Sequence, residues 1–224
     1  MYVPPFNAVT DDAEIRAMAH AARTGWLVTP HEDEAPLATL LPIIWTGDTV
    51  IAHMAKANPH WRHIAPGSPA LVICTGPDAY ISPNWYAAKA EHGRVVPTWN
   101  YTAVQLGGTA TVHHDPDWLR SAVTELTDLH ESTMPTPWHV TDAPEDYIAG
   151  QLRGIVGVEV TVTKTVGKAK LSQNRSEADQ HGVILGLRSD NPTPTSTAVA
   201  DGMAAAFTSA PPVRPTSARR RCPS

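Results

Sequence analysis

Trp26-Leu27-Val28-Thr29, Ala38-Thr39-Leu40-Leu41-Pro42-Ile43-Ile44-Trp45 and Thr49-Val50-Ile51-Ala52-His53-Met54 are three short apolar runs rich in β-branched residues. An acidic turn from Pro30 to Pro36 separates the first two, and Thr46-Gly47-Asp48 separates the second from the third. Runs of this length, bounded by Pro, Gly and Asp, predict a meander of antiparallel strands.

Downstream the β pattern continues. Pro69 to Thr75 is almost wholly apolar and reads as a strand buried on both faces, and Asp78 to Ser82 as a further short one. The longest β segment runs from Val95 to His113, and its central Gly107-Gly108 predicts a bulge or sharp bend. Val156, Val158, Val160 and Val162 alternate with Gly157, Glu159, Thr161 and Thr163, the period of a strand with one buried face. Helices fit between: Thr10 as N-cap to about Arg23 with Gly25 beyond it, a short one opened by Asn58-Pro59, and one after Asp115-Pro116. Further helices are expected at Ala143 to Arg153 and Glu177 to Leu187, with a polar loop at Gly167 to Ser176. The expected fold is α+β, mainly β: an antiparallel barrel of about six to seven strands with peripheral short helices. It occupies residues 1–188. Residues 189–224, dominated by Ser, Thr, Pro and Ala and ending in Arg219-Arg220-Arg221, read as a disordered tail.

Composition narrows the function classes. The 224 residues carry a formal net charge of −5, which argues against a broad phosphate-binding face. Two cysteines, Cys74 and Cys222, are too few for a disulfide framework or a cysteine-based zinc site, and suit a cytoplasmic protein. No apolar stretch nears the roughly 20 residues of a membrane helix. Among the 11 histidines, His53, His60 and His63 are close, but their spacing matches no ligand set and no carboxylate accompanies them, so no metal site is expected. A Walker loop, a dinucleotide glycine fingerprint and a Gly-x-Ser-x-Gly elbow are all absent from the sequence.

Four segments carry candidate chemistry. His53-Met54-Ala55-Lys56-Ala57-Asn58-Pro59-His60-Trp61-Arg62 joins a strand end to a capped helix start with Lys56 and Arg62 beside it, an arrangement suited to a phosphate monoester and equally to plain capping. In Gly76 to Tyr86, adjacent Trp85 and Tyr86 follow a Ser-Pro-Asn turn; they suit a wall for a planar ligand, a subunit contact, or packing over the barrel end. Val96-Pro97-Thr98-Trp99-Asn100-Tyr101 puts Trp99 and Tyr101 on one strand face and Asn100 on the other. Gly167 to Ser176 combines cations with Gln173 and Asn174, amides able to bond the imide edge of a heterocycle, although a solvated loop has the same composition.

Taken in this order, the segments resemble the PaiB family of FMN-binding negative transcriptional regulators. The resemblance rests on Met1-Tyr2-Val3-Pro4, Ala38 to Pro42, His53 to Pro59, Tyr80 to Tyr86, Val96 to Tyr101 and Gly167 to Asn174. It implies an FMN-binding split barrel that forms a homodimer with flavin in a groove between subunits. It further implies that Thr39, His53, Lys56 and Asn58 belong to the phosphate and ribityl side. Trp99, Asn100, Gln173 and Asn174 would reach the isoalloxazine ring. The function expected from it is an FMN-binding regulator of gene expression acting indirectly or through flavin redox state, since neither charge nor motif supports a DNA-reading surface. An FMN-dependent oxidoreductase of the split-barrel type is the alternative, with Tyr86 and His53 as its acid–base candidates. Haem binding ranks third.

Overall fold

Eight strands form one antiparallel sheet: β1 (Ala8–Val9), β2 (Thr24–Thr29), β3 (Leu37–Pro42), β4 (Ile44–Thr46), β5 (Thr49–Ala55), β6 (Ser68–Ile81), β7 (Thr98–His113) and β8 (Ile155–Lys170). The computed structural model describes residues 1–32 and 34–209. The strand order is β3-β2-β6-β7-β8-β5-β4, with β1 added on β8, so the sheet has two ends and is not closed into a barrel. Among the described residues six α-helices accompany it: α1 (Asp12–Ala22), α2 (Ala88–His92), α3 (Pro116–Glu131), α4 (Glu145–Leu152), α5 (Glu177–Ser189) and α6 (Pro194–Ser209).

The chain clusters into two compact units. The first comprises Met1–Asp78 and Asn100–Lys170; the second takes Ala79–Trp99 and resumes at Leu171. In the first, the inward faces of the strands build the core. Val50, Ala52 and Met54 of β5 pack with Val156, Val158 and Val160 of β8, and Ile15 and Ala19 of α1 close over them. Each fully buried aliphatic side chain of this kind contributes about 1.5–3 kcal/mol. Leu119, Val140, Ile148 and Leu152 make a separate small cluster that seats α3 and α4.

Several expectations change. β6 is a single strand across Ser68–Ile81, and its burial alternates, so it has one core face instead of two. The run 38–45 splits at Ile43 into β3 and β4. β8 continues to Lys170 through what the polar composition suggests is a loop, because its cations pair in register with Tyr101 and Ala103 of β7. Asp11, not Thr10, caps α1 by accepting the Glu14 N–H, and Arg23 rather than Gly25 takes the left-handed position at its end, with φ of 61°. The bulge does lie between Gly107 and Gly108. Gly108 is required there, since a Cβ would overlap the Thr161 carbonyl.

In the second unit, Trp85 lies on α5 where Gly182 and Gly186 leave room for it, and its Nε1–H donates to Asp190 at 2.7 Å. Tyr86 is 3% exposed. This pair of aromatics therefore serves packing within that unit. Disorder from residue 189 is corrected over 194–209. Thr193 and Ser196 exchange hydrogen bonds at the helix start, Pro194 follows at the first position, and Val199, Ala200 and Met203 are buried at helical spacing. Small Ala and Ser residues lack the bulk that advertises an amphipathic helix, which is why composition alone misled. Residues 210–224, including the terminal arginines, lie outside the described residues.

Candidate functional site

Asn58 opens a five-residue 3₁₀ turn, Pro59–His63, and its side chain accepts the His60 N–H at 3.0 Å. The cap is as expected, but the turn is too short to act as a helix terminus toward an anion. What the turn does instead is bury a histidine. His60 is 2% exposed, and its ring reaches two hydroxyls, Thr39 Oγ1 from Nδ1 at 2.7 Å and Thr29 Oγ1 from Nε2 at 2.9 Å. Asn58 Nδ2 donates to the same Thr39 oxygen at 3.4 Å. Thr39 on β3 and Asn58 are thus brought together, with His60 and Thr29 behind them. Burial, then the nearby His63 and His31, push the His60 pKa down, so the ring is neutral at neutral pH.

His53 stands on the face of β5 opposite Val50, Ala52 and Met54, with Gly157 of β8 as its register partner. Its Nδ1 is buried and finds no hydrogen-bond partner within the described protein, and burial lowers its pKa. Lys56 follows directly after β5. Its N–H donates to Gly154 at 2.8 Å and its ammonium to the Arg153 carbonyl at 3.5 Å. Lys56 and Arg153 stand at a cavity of about 480 Å³ whose lining includes Leu119, Leu152 and the Arg120–Glu145 ion pair. Among the described residues no carboxylate pairs with Lys56 or Arg153.

The remaining expected residues divide. Asn100 on β7 is fully buried in the first unit. Trp99, Gln173 and Asn174 belong to the second. There Trp99 is 53% exposed and meets Tyr80 edge-on with ring centroids 6.2 Å apart, Gln173 Oε1 accepts the Leu171 N–H at 2.8 Å, and Asn174 is exposed in a turn. Tyr86 is a protonated phenol: burial pushes its pKa up, against the pull of the Arg175 guanidinium 4.7 Å from its ring. No group of three or more His, Cys, Asp or Glu among the described residues is placed to hold a metal ion.

Residues 1–164 match the family described as "Putative FMN-binding domain". The chain belongs to this FMN-binding family. FMN is its cofactor. It is PaiB-like: it is 32% identical over 194 residues to the Bacillus subtilis strain 168 protein named Protease synthase and sporulation protein PAI 2, covering 85% of this chain and 90% of that one. Its fold is that of solved split-barrel structures. These include the FAD and heme binding protein from Mycobacterium smegmatis, with a TM-score of 0.56 and 17% identity over 73% of each chain. The flavocytochrome Anf3 from Azotobacter vinelandii matches with a TM-score of 0.53 and 14% identity, covering 80% of this chain and 78% of that one.

The side chains fit such a group. A ribityl phosphate needs cations and hydrogen-bond donors at one end, and Lys56 and Arg153 form no ion pair among the described residues at a cavity whose three cations outnumber its two carboxylates, Asp117 and Glu145. The orphaned His53 Nδ1 is a buried polar atom without a partner among the described residues, a costly arrangement that leaves it capacity for one more hydrogen bond. Thr29 and Arg153 are not singled out by the sequence, and His60 is weighed there only as a metal ligand. A histidine in a capped turn gives no sign of which way it points, and Arg153 stands nearly a hundred residues from the lysine it joins.

Proposed function

We propose that this protein is an FMN-binding homodimer that regulates gene expression in the PaiB manner, indirectly or through flavin redox state. The observation that carries the reading is the set of groups around the β5 end: Lys56, Arg153, His53 and the Thr39–Asn58 pair, lying within the span matched to the FMN-binding family. Within the first unit, Lys56 and Arg153 hold the phosphate, Thr39 and Asn58 bond the ribityl chain, and Asn100 meets the ring. Bound flavin supplies one- and two-electron redox chemistry, and the protein's residues position it.

Dimerisation has its own support in the first unit. Trp26 is 43% and Leu40 49% exposed, and they face each other in register across β2 and β3 with Ile73 of β6 beside Trp26. An outward apolar strip on the last strands of a sheet is costly to leave in water and suits a second copy of the same surface. Trp26→Asp should convert the dimer to a monomer in sedimentation velocity; a wild-type protein that sediments as a monomer at micromolar concentration contradicts the reading.

A net charge of −5 favours regulation through a partner over direct DNA reading. The rival, a flavin-dependent oxidoreductase, is separated by anaerobic addition of NADPH to the holoprotein. Regulation is supported by a flavin that stays oxidised together with altered transcription in cells lacking the gene. Rapid bleaching with turnover of an acceptor would establish the enzyme, and a Soret band in the purified protein would establish haem.

A further inference from the structure

Thr29 is 1% exposed, so its hydroxyl proton needs an acceptor inside the protein. The only partner that its Oγ1 shows among the described residues is His60 Nε2, at 2.9 Å. If Nε2 carried the proton it would donate to the Thr29 oxygen and leave the Thr29 hydroxyl proton buried without an acceptor, a costly arrangement. Nε2 must therefore be the bare acceptor. In a neutral imidazole the proton then sits on Nδ1, which donates to Thr39 Oγ1 at 2.7 Å. Asn58 Nδ2 supplies a second donor to that same oxygen. A hydroxyl has two lone pairs and one proton. With both lone pairs of Thr39 occupied, its proton must point away from the network.

We propose that His60 is a positioning residue: its Nδ1–H tautomer, imposed by buried Thr29, turns the Thr39 hydroxyl outward as a ready-made donor to the ribityl-phosphate oxygens of FMN. This rests on the reading that Thr39 lies at the flavin site. Asn58 serves the same end twice, fixing the His60 backbone through its Oδ1 and loading Thr39 through its Nδ2. Neutrality of the ring completes the arrangement, since burial and the two neighbouring histidines disfavour the imidazolium. Without the tautomer lock, Thr39 would donate inward to Nδ1 and present only lone pairs to an anion, a repulsive contact.

Two measurements test this. The first is imidazole ¹⁵N NMR on the unmutated apoprotein, with His60 assigned by the resonance lost in His60→Asn. It should show Nδ1 protonated and Nε2 bare at pH 7.5; a protonated Nε2 overturns the proposal. The second is FMN titration, followed by flavin fluorescence, of the wild type, Thr39→Val, His60→Leu, His60→Asn and the Thr39→Val/His60→Leu double variant. Loss of one donor to a charged group should weaken binding about tenfold in Thr39→Val and in His60→Leu. The double variant should be no weaker than Thr39→Val alone, and His60→Asn, whose amide keeps a donor near the Nδ1 position, should recover most of the affinity. Multiplicative effects in the double variant would mean that His60 does not act through Thr39. Wild-type protein that fails to bind FMN sinks the cofactor reading itself, whereas binding that is indifferent to Thr39→Val sinks only the placement of Thr39 and this proposal with it.

Discussion

Gly157 on β8 lies flat beneath the indole of Trp118 on α3, so close that a methyl group in place of its α-hydrogen would overlap the ring. It is also the register partner of His53 on one side and of His113 on the other, and His113 stacks on Trp118 with centroids 4.1 Å apart. The missing side chain is what lets α3 sit down on the outer face of the sheet. Gly157→Val should destabilise the fold by about 1–3 kcal/mol through overpacking, read as a fall of several degrees in calorimetric Tm. An unchanged Tm would mean that α3 is not held against β8 as described.

If Lys56 and Arg153 hold the phosphate as proposed, Lys56→Ala and Arg153→Ala should each raise the Kd for FMN by about tenfold or more, the cost of a lost charge-assisted contact. Riboflavin, which lacks the phosphate, should bind both variants as it binds the wild type. The comparison of the two ligands by fluorescence titration isolates the phosphate term; equal weakening for both ligands would move these residues away from that end.

Acid should loosen the protein before its carboxylates titrate. His53 and His60 both have folded pKa values below the ordinary 6.5, chiefly from burial. Below pH 6.5 the unfolded chain therefore binds more protons than the native one, and stability falls with pH. The contribution is complete above 6.5 and is lost as pH drops through the lowered folded values. Urea midpoints should thus decline between pH 7 and pH 5, and His60→Asn should flatten that decline. A midpoint that rises on acidification in this window would refute the assignment.

Cys74 on β6 is 1% exposed, and burial pushes its thiol up to about 11. Such a thiol is almost wholly protonated at pH 8 and out of reach of a disulfide reagent. Of the two cysteines, at most one should react in the native protein within minutes, and both in urea. Fast reaction of two equivalents without denaturant would contradict the packing of the sheet.

Strand period carried most of the architecture from the sequence. The valines at 156, 158, 160 and 162 mark the core face of β8, and Gly107-Gly108 marks its bulged partner. What period does not carry is where a strand stops when charged residues satisfy the pairing, so β8 outran its apolar part to Lys170. Weak amphipathicity hid α6, which buries small Ser196 and Ala200 beside Val199 and Met203. At the candidate site Lys56 and Asn58 were legible as types suited to phosphate, whereas Thr39 came only with the family resemblance. The relations among them were not. His60 links Thr29 to Thr39 across 31 and 21 residues of sequence, and Lys56 meets Arg153 across 97. Such pairings are set by the fold, and no spacing rule records them.

Whether the protein holds flavin as a dimer is decided by titration of FMN into the flavin-free protein by isothermal calorimetry, with sedimentation of the same sample. Saturable binding of one FMN per chain to a dimer is expected, weakened when Lys56 is replaced by alanine. No heat of binding from a folded apoprotein, or a saturating response identical in the Lys56→Ala variant, would contradict it.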